Sequence, residues 1–172
     1  MRADADEMMD RIRKVADPAK IDYLVVNHVE MDHSGSVPKV LELAPRAKIV
    51  TSPNGKKGLT RHYRKDWEYV VVNSGEELKT GARTLKFVHT PMVHWPDSMV
   101  TYLPEEKLLL PNDAFGQHIA SAERFDDQLG WDVAHEEAAK YYANIVMPYG
   151  DQVNKALDAL ASLPIEMIAP SH

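Results

Sequence analysis

The sequence predicts an α/β fold. Strands and helices alternate along the first half of the chain, short strands cluster in the middle, and two longer helices precede a last strand. The chain has 172 residues, of which 44% are hydrophobic and 27% are charged, and these fractions are ordinary for a globular protein. A chain of this length predicts a single domain spanning residues 1–172.

The elements of the first half follow from the spacing of apolar residues. Met8, Met9, Ile12 and Val15 recur at helical spacing, and Asp17 with the proline after it ends this helix. The run IDYLVV predicts a buried strand. Including that run, the predicted elements are strands at 21–26, 48–51 and 68–72 and helices at 38–43 and 56–62.

The second half predicts closely spaced strands and then helices. Glycine-containing turns at Ser74-Gly75 and Thr80-Gly81 precede the strands. The predicted elements are strands at 85–88, 99–102, 108–110 and 165–169 and helices at 133–145 and 151–160.

Composition excludes several classes of protein. The chain has no cysteine, so disulfides, cysteine nucleophiles, thiolate zinc sites and cysteine-held iron–sulfur clusters are ruled out, and a cytoplasmic location is expected. A net charge of −6 without a basic stripe argues against nucleic acid as a partner. No apolar run approaches the ~20 residues that span a bilayer, and the first residues do not resemble a signal peptide, so no membrane partner is expected.

Metal-binding residue types follow directly after the predicted strands. The strand at 21–26 is followed by NHVEMDHSG, LKFV by HTPMVHWPDS, LLL by PNDAFG, and IEMIA by PSH. In α/β folds, sites are built at this rim of the sheet, where side chains from distant parts of the chain converge.

The densest group is His28, Glu30, Asp32 and His33. In an extended backbone alternate residues share a face, so the first three side chains are expected to point together, and Ser34 with the glycine after it supplies a turn for His33. One ion rarely takes four ligands from so short a loop, so two ions bridged by a carboxylate are the more natural interpretation.

Three further residues complete this interpretation. Asp113 is the candidate bridge, and His94 and His172 would complete one metal each. The alternative is a solvated polar loop after a strand. His89 is a rival to His94, although it is expected to remain in the sheet, and a structural role is expected for His118.

The chain resembles the diiron domain of flavodiiron proteins, also called A-type flavoproteins. The resemblance rests on motifs that occur in order along nearly the whole chain: NHVEMDHSGS, TPMVHWPDSM, LLPNDAFGQH, SAERFDD, YYANIVMP and IAPSH. It implies a metallo-β-lactamase-like αβ/βα sandwich. By this resemblance one iron would be held by His28, Glu30 and His94, the other by Asp32, His33 and His172, with Asp113 between them.

The family reduces dioxygen to water, nitric oxide to nitrous oxide, or both, with electrons from FMN. Its hydrolytic relatives usually carry histidine where this chain has Glu30. A carboxylate in place of an imidazole makes a harder site, which suits redox iron better than a zinc hydrolase centre. Zinc remains a possible substitute, because its affinity generally exceeds that of ferrous iron.

Two parts of the family's architecture are not found in this sequence. The family's domain normally starts with additional N-terminal strands, and a flavodoxin-like domain normally follows the position of His172. The resemblance therefore implies a partial diiron domain without a flavodoxin-like domain. FMN would come from a missing or partner domain, a flavin or rubredoxin-type protein would donate electrons, and an exposed sheet edge would favour a homo-oligomer.

Two rival functions stay open at this point. One is a dinuclear metal-dependent hydrolase on the same fold, in which a bridging hydroxide attacks an ester, amide or phosphate bond. The other is a diiron domain that binds dioxygen or nitric oxide as a sensor and catalyses nothing.

Overall fold

The computed structural model describes residues 2–172, with side chains from residue 5 onward, and the chain forms two compact units. The first unit ends at Val72 and the second spans Asn73–His172. Within the described residues no helix combines the length and the apolarity that crossing a bilayer requires.

The first unit contains a parallel three-stranded sheet in the order β1-β2-β3. Its strands are β1 (Tyr23–Val25), β2 (Lys48–Thr51) and β3 (Tyr69–Val71). Its helices are α1 (Arg2–Val15), α2 (Met31–Ser34), α3 (Val37–Leu43) and α4 (Pro53–Tyr63).

The core of the first unit confirms α1 but corrects two predictions. Met9 is fully buried and packs with Val40 and Ala44. Val15, which was predicted on the same apolar face, is 86% exposed at the end of the helix. The buried strand predicted at 21–26 is shorter and more exposed, because β1 is an outer strand of the described sheet and only β2 has neighbours on both sides.

The start of α4 also differs from the prediction. We expected Pro53 and the next two residues to form a turn before a helix at 56, but the helix begins at Pro53 itself. Ser52 is the N-cap, and its side chain accepts a hydrogen bond from the Gly55 N–H at 3.0 Å. Proline is favoured in the first helical turn because it lacks an N–H that would have no partner there.

The second unit contains a five-stranded sheet in the order β4-β5-β6-β7-β8. Its strands are β4 (Glu77–Thr80), β5 (Arg83–His89), β6 (Met99–Leu103), β7 (Leu108–Leu110) and β8 (Met167–Ile168). Neighbouring strands are antiparallel from β4 to β7, whereas β8 runs parallel to β7. The prediction missed β4, whose sequence ELKT has a single strongly apolar residue.

The helices of the second unit follow the predicted order with different ends. They are α5 (Asp126–Leu129), α6 (Trp131–Tyr141) and α7 (Gly150–Leu160), and α5 was not predicted. A π-helical turn (Tyr142–Val146) continues α6, so the helix predicted at 133–145 changes its winding near its end. Leu160 of α7 packs on the sheet against Val100 and Leu109.

Candidate metal centre

Parallel pairing of β7 and β8 brings Asp113 and His172 to one edge of the sheet. Leu109 lies opposite Ile168, and each candidate ligand comes four residues after its member of that pair. Because the two strands run in the same direction, both loops leave the sheet at the same edge. The register of β7 and β8 therefore brings Asp113 and His172 close together, although they are far apart in sequence.

Hydrogen bonds hold the two loops together beyond the strands. The Ser171 N–H donates to the Asn112 carbonyl at 3.0 Å, and the Ser171 hydroxyl contacts the Asn112 side-chain oxygen at 3.2 Å. The Gln117 N–H donates to the His172 carbonyl at 3.0 Å. These contacts fix the backbone before and after Asp113 and at Ser171 and His172.

His94 reaches the same edge from the loop that joins β5 to β6. The loop is closed at its base, where the Thr90 N–H donates to the Ser98 carbonyl at 2.9 Å. Nearer the tip, the Met92 N–H donates to the Trp95 carbonyl at 2.8 Å. A loop that bonds to itself in this way presents His94 from a defined position.

The Asp113 carboxylate lies between two histidines. Its Oδ2 atom is 3.4 Å from His94 Nε2, and its Oδ1 atom is 3.4 Å from His172 Nε2. Asp113 is only 3% exposed. A buried carboxylate that offers one oxygen to each of two imidazoles has the donor arrangement of a bridging ligand.

The first unit presents its own group of ligand-type side chains after β1. His28 is 1% exposed, and its Nε2 atom lies 3.2 Å from Glu30 Oε2. His33 Nε2 lies 3.3 Å from Asp32 Oδ2, and the rings of the two histidines are 5.4 Å apart. The four side chains thus form two neighbouring imidazole–carboxylate pairs.

The local backbone corrects one expectation about this group. We predicted an extended segment in which Asp32 shares a face with His28 and Glu30. Residues Met31–Ser34 instead form the helical turn α2, so the alternation ends at Glu30 and the closest described pairing of Asp32 within this loop is with His33. Helical winding places consecutive side chains about 100° apart, which removes the two-residue period.

Helix α4 packs against the loop that follows β1 and holds its backbone in place. The Ser34 hydroxyl donates to the Val29 carbonyl at 2.6 Å and contacts the Tyr63 hydroxyl at 2.9 Å. Gly58 of α4 faces Val29 so closely that a Cβ atom on the glycine would lie 2.9 Å from a Val29 methyl carbon. Val29 stands between two candidate ligands, so α4 sets the position of both.

The donor set fits a metal ion. Ligands that bind one ion at about 2.1 Å lie about 3.0–3.4 Å from each other at right or tetrahedral angles. The four imidazole–carboxylate pairs have separations of 3.2, 3.3, 3.4 and 3.4 Å, longer than the usual N–H···O hydrogen bond of about 2.9–3.0 Å. Imidazole with carboxylate is a donor set that suits iron and zinc.

Two other histidines have different surroundings. His89 ends β5 opposite Met99, and its backbone N–H donates to the Ser74 hydroxyl at 3.0 Å, so it remains in the sheet as expected. His118 lies next to a candidate ligand, with its ring 5.3 Å from that of His172 and 5.1 Å from that of Tyr141. Sequence reasoning missed this ring contact, since only tertiary packing brings the three rings together.

Solved structures define the class of protein. A structure of rubredoxin oxygen:oxidoreductase from Desulfovibrio gigas matches 96% of this chain with a TM-score of 0.94 and 46% identity, and the match covers 42% of that chain. The flavodiiron protein from Giardia intestinalis matches 97% of this chain with a TM-score of 0.91 and 36% identity, over 41% of its own length. The predicted metallo-β-lactamase-like α/β fold is therefore confirmed.

Comparison of the sequence with family models identifies the family of this chain. The model described as "ODP family beta lactamase" matches residues 2–172, and the chain belongs to this family. A protein named nitric oxide reductase from Moorella thermoacetica is 49% identical over 170 residues, which are 97% of this chain and 43% of that protein. The chain thus spans about two fifths of the length of such curated relatives, and the resemblance to the diiron part of flavodiiron proteins is confirmed.

Proposed function

We propose that this chain is the metal-binding part of an enzyme that reduces dioxygen to water, nitric oxide to nitrous oxide, or both. The observation that carries the proposal is Asp113, a buried carboxylate with an imidazole 3.4 Å from each of its oxygens. The names of similar proteins support it, since they include a nitric oxide reductase and a rubredoxin-oxygen oxidoreductase.

The proposed ligand set uses seven side chains of one partial diiron domain, residues 1–172. Asp113 would bridge the two irons. One iron would be held by His28, Glu30 and His94, and the other by Asp32, His33 and His172. The separations within each unit support four parts of this set, namely the pairs His28–Glu30, Asp32–His33, His94–Asp113 and His172–Asp113, because each pair has the spacing of two ligands on one ion.

Iron is proposed over zinc because of Glu30. A carboxylate there gives the site a harder and more anionic donor set than an imidazole would, and oxygen donors stabilise a redox iron as its charge rises. Zinc would substitute when iron is scarce. When bound, iron would supply the electrons that reduce the gas.

The chain's own residues hold the ligands in place. In the first unit, Val29 of the loop packs against Gly58 of α4, and the Thr51 hydroxyl donates to the Val26 carbonyl at 2.8 Å just before that loop. In the second unit, the bonded loops after β7 and β8 fix Asp113 and His172. Rigid placement of this kind lets a metal change its charge without losing its ligands.

The number of electrons needed for the reaction requires an external electron donor. Reduction of dioxygen to two waters consumes four electrons and four protons, whereas two ferrous ions that become ferric release only two electrons. We propose that FMN, in a further domain or a separate protein, refills the site with electrons that a rubredoxin-type protein supplies. The chain would also self-associate through an outer strand of a sheet, whose unpaired backbone groups can pair with a second copy.

Metal content tests the ligand assignment. The chain is refolded with excess ferrous iron without oxygen, desalted and analysed for metal, and two irons per chain are expected. Asp113→Asn should weaken both sites. His94→Ala should lower the iron content, whereas the matched control His89→Ala should not, since His89 belongs to β5. Full iron content in Asp113→Asn would reject the bridge, and loss of iron only in His89→Ala would reject His94.

Gas consumption tests the reaction. The iron-loaded chain is chemically reduced, desalted and mixed with dioxygen or nitric oxide, and the gas consumed per pair of irons is recorded. A single burst is expected, with sustained turnover only after a reduced flavoprotein is added. Hydrolysis of esters or phosphates by the zinc form without any gas consumption by the iron form would favour the hydrolase. Sustained consumption with NADH alone and no flavin would reject the proposed electron route.

A further inference from the structure

The second unit contains an apolar cavity that borders the candidate metal ligands. Its volume is about 280 Å³, and it lies between α6, the π-helical turn, α7 and the loop that follows Asp113. The lining residues are aliphatic and aromatic apart from Thr90 and Gly116, and no charged residue among the described ones lines it. For comparison, an apolar cavity of about 150 Å³ in another protein stays free of water and binds benzene or xenon.

The wall between the cavity and the ligands is thin. The cavity is lined by residues 114–116, and the Gly116 N–H donates to the Asp113 carbonyl at 3.0 Å, so the turn that carries Asp113 is itself the wall. Tyr141, which also lines the cavity, has its ring 6.1 Å from the ring of His172. A Cβ atom on Gly116 would lie 2.8 Å from Tyr141 Cζ, and therefore only glycine permits this close packing.

The π-helical turn shapes the opposite wall. In this turn the Met147 N–H donates to the Tyr142 carbonyl five residues earlier, which widens the helix. Tyr142 and Val146, at the two ends of the turn, both line the cavity. Phe115, Tyr142 and Leu157 are 41–45% exposed, so the cavity has an apolar mouth through which a small molecule can enter.

We propose that this cavity binds the neutral diatomic gas and holds it beside the metal ligands. The inference rests on the proposed function, which makes dioxygen or nitric oxide the substrate. Both are small molecules without net charge that partition from water into apolar spaces. Transfer of a molecule about the size of one methylene group enriches it roughly four- to fivefold in such a space.

Xenon is the probe, because it enters apolar cavities and needs no metal. The iron-loaded chain is placed under xenon pressure, and the site is located by crystallography or by shifts of the Val146 and Val153 methyl resonances. Ala138→Phe fills the cavity from α6, and its matched control is Ala139→Phe at the neighbouring exposed position. Ala156→Phe and its exposed control Ala159→Phe repeat the comparison on α7, in case the first pair fails to fold.

The expected result is xenon in the cavity of the wild-type chain and of both control variants, but not in the filled variants. The second-order rate at which the reduced, iron-loaded chain is oxidised by dioxygen should fall about fivefold in the filled variants at equal iron content. Absence of xenon from the wild-type cavity, or an unchanged rate in variants that exclude xenon, would overturn the inference. Xenon in the cavity of a chain that reacts with neither gas would instead reject the proposed function.

Discussion

Substitution of Gly58 by alanine is expected to destabilise this chain, although alanine is normally the better residue within a helix. The position lies inside α4, where the change favours the helix by about 1 kcal/mol. The new Cβ atom would lie 2.9, 3.2 and 3.3 Å from three side-chain carbons of Val29. Val29 is 3% exposed and β-branched, so it cannot rotate away without strain.

The size of the effect follows from these two opposing contributions. Overpacking of a tight core typically costs about 1–3 kcal/mol; at the middle of that range it outweighs the gain in helix propensity and leaves a net loss of about 1 kcal/mol. Gly150→Ala is the matched control, because a Cβ atom there has no heavy atom within 4 Å and the helix α7 begins at that residue. It should stabilise the chain by about 0.5–1 kcal/mol.

The assay is urea or thermal unfolding of the metal-free chain. The two variants should differ by about 2 kcal/mol, or roughly 4–8 °C in Tm for a chain of this size. The double variant of Gly58→Ala with Val29→Ala should be about 1 kcal/mol more stable than the sum of the two single effects predicts. The reason is that Val29→Ala removes the side-chain carbons that clash with the new Cβ atom. Stabilisation by Gly58→Ala equal to that by Gly150→Ala would refute the reasoning.

The metal-loaded chain gives a second measurement of the same variant. Val29 stands between His28 and Glu30, so a shifted valine displaces both candidate ligands. Loss of supporting contacts around metal ligands commonly lowers affinity about 10–100-fold. Competition with a chelator should therefore show weaker iron binding by Gly58→Ala, and unchanged binding by Gly150→Ala.

Three further predictions concern hydrogen bonds and backbone conformation. Ser34→Ala removes the 2.6 Å hydrogen bond from the Ser34 hydroxyl to the Val29 carbonyl and should cost about 1 kcal/mol in urea unfolding; an unchanged midpoint would contradict this. Arg64→Gly should stabilise the chain by about 1 kcal/mol, because Arg64 caps α4 with a φ of 51°, and a lower Tm would contradict it. Hydrogen bonds from Asn73 lower the pKa of Glu76, so this carboxylate stabilises the fold above its ordinary pKa and the effect is lost as the pH falls through the lowered value. Glu76→Gln should therefore lower the Tm at pH 7 but leave it close to wild type in acid, where the Glu76 carboxyl is protonated in both the folded and the unfolded chain; an equal deficit under both conditions would show that the charge is not responsible.

The sequence predicted the α/β class because its apolar runs are short and regularly interrupted. Strand β2 was predicted at the residues where it occurs, since its apolar residues are bounded by clear turn signals. Strand β4 was missed because Glu77 and its neighbours lack a β pattern, and pairing with β5 across the turn at Gly81 makes them a strand. Tertiary pairing overrides a weak local propensity of this kind.

The candidate site was also predicted only in part. The residue types and their position after the strands could be predicted from the sequence. Apolar runs that end abruptly in histidine and carboxylate residues stand out in a chain without cysteine. The backbone of α2 was not readable, since Met31–Ser34 is too short for any helical period to appear. The expected extended face for Asp32 was wrong for that reason.

Local sequence determined which side chains stand at the strand ends, since hydrophobic runs and turn residues act over a few neighbouring positions. Only the tertiary structure decided that β8 pairs in parallel with β7, and with it the approach of His172 to the Asp113 carboxylate. The same holds for the close contact of Gly58 with Val29 and for the cavity behind Gly116. The physical reason is that strand register and packing depend on segments far apart in the chain, whose mutual fit leaves no signal in the sequence of either one.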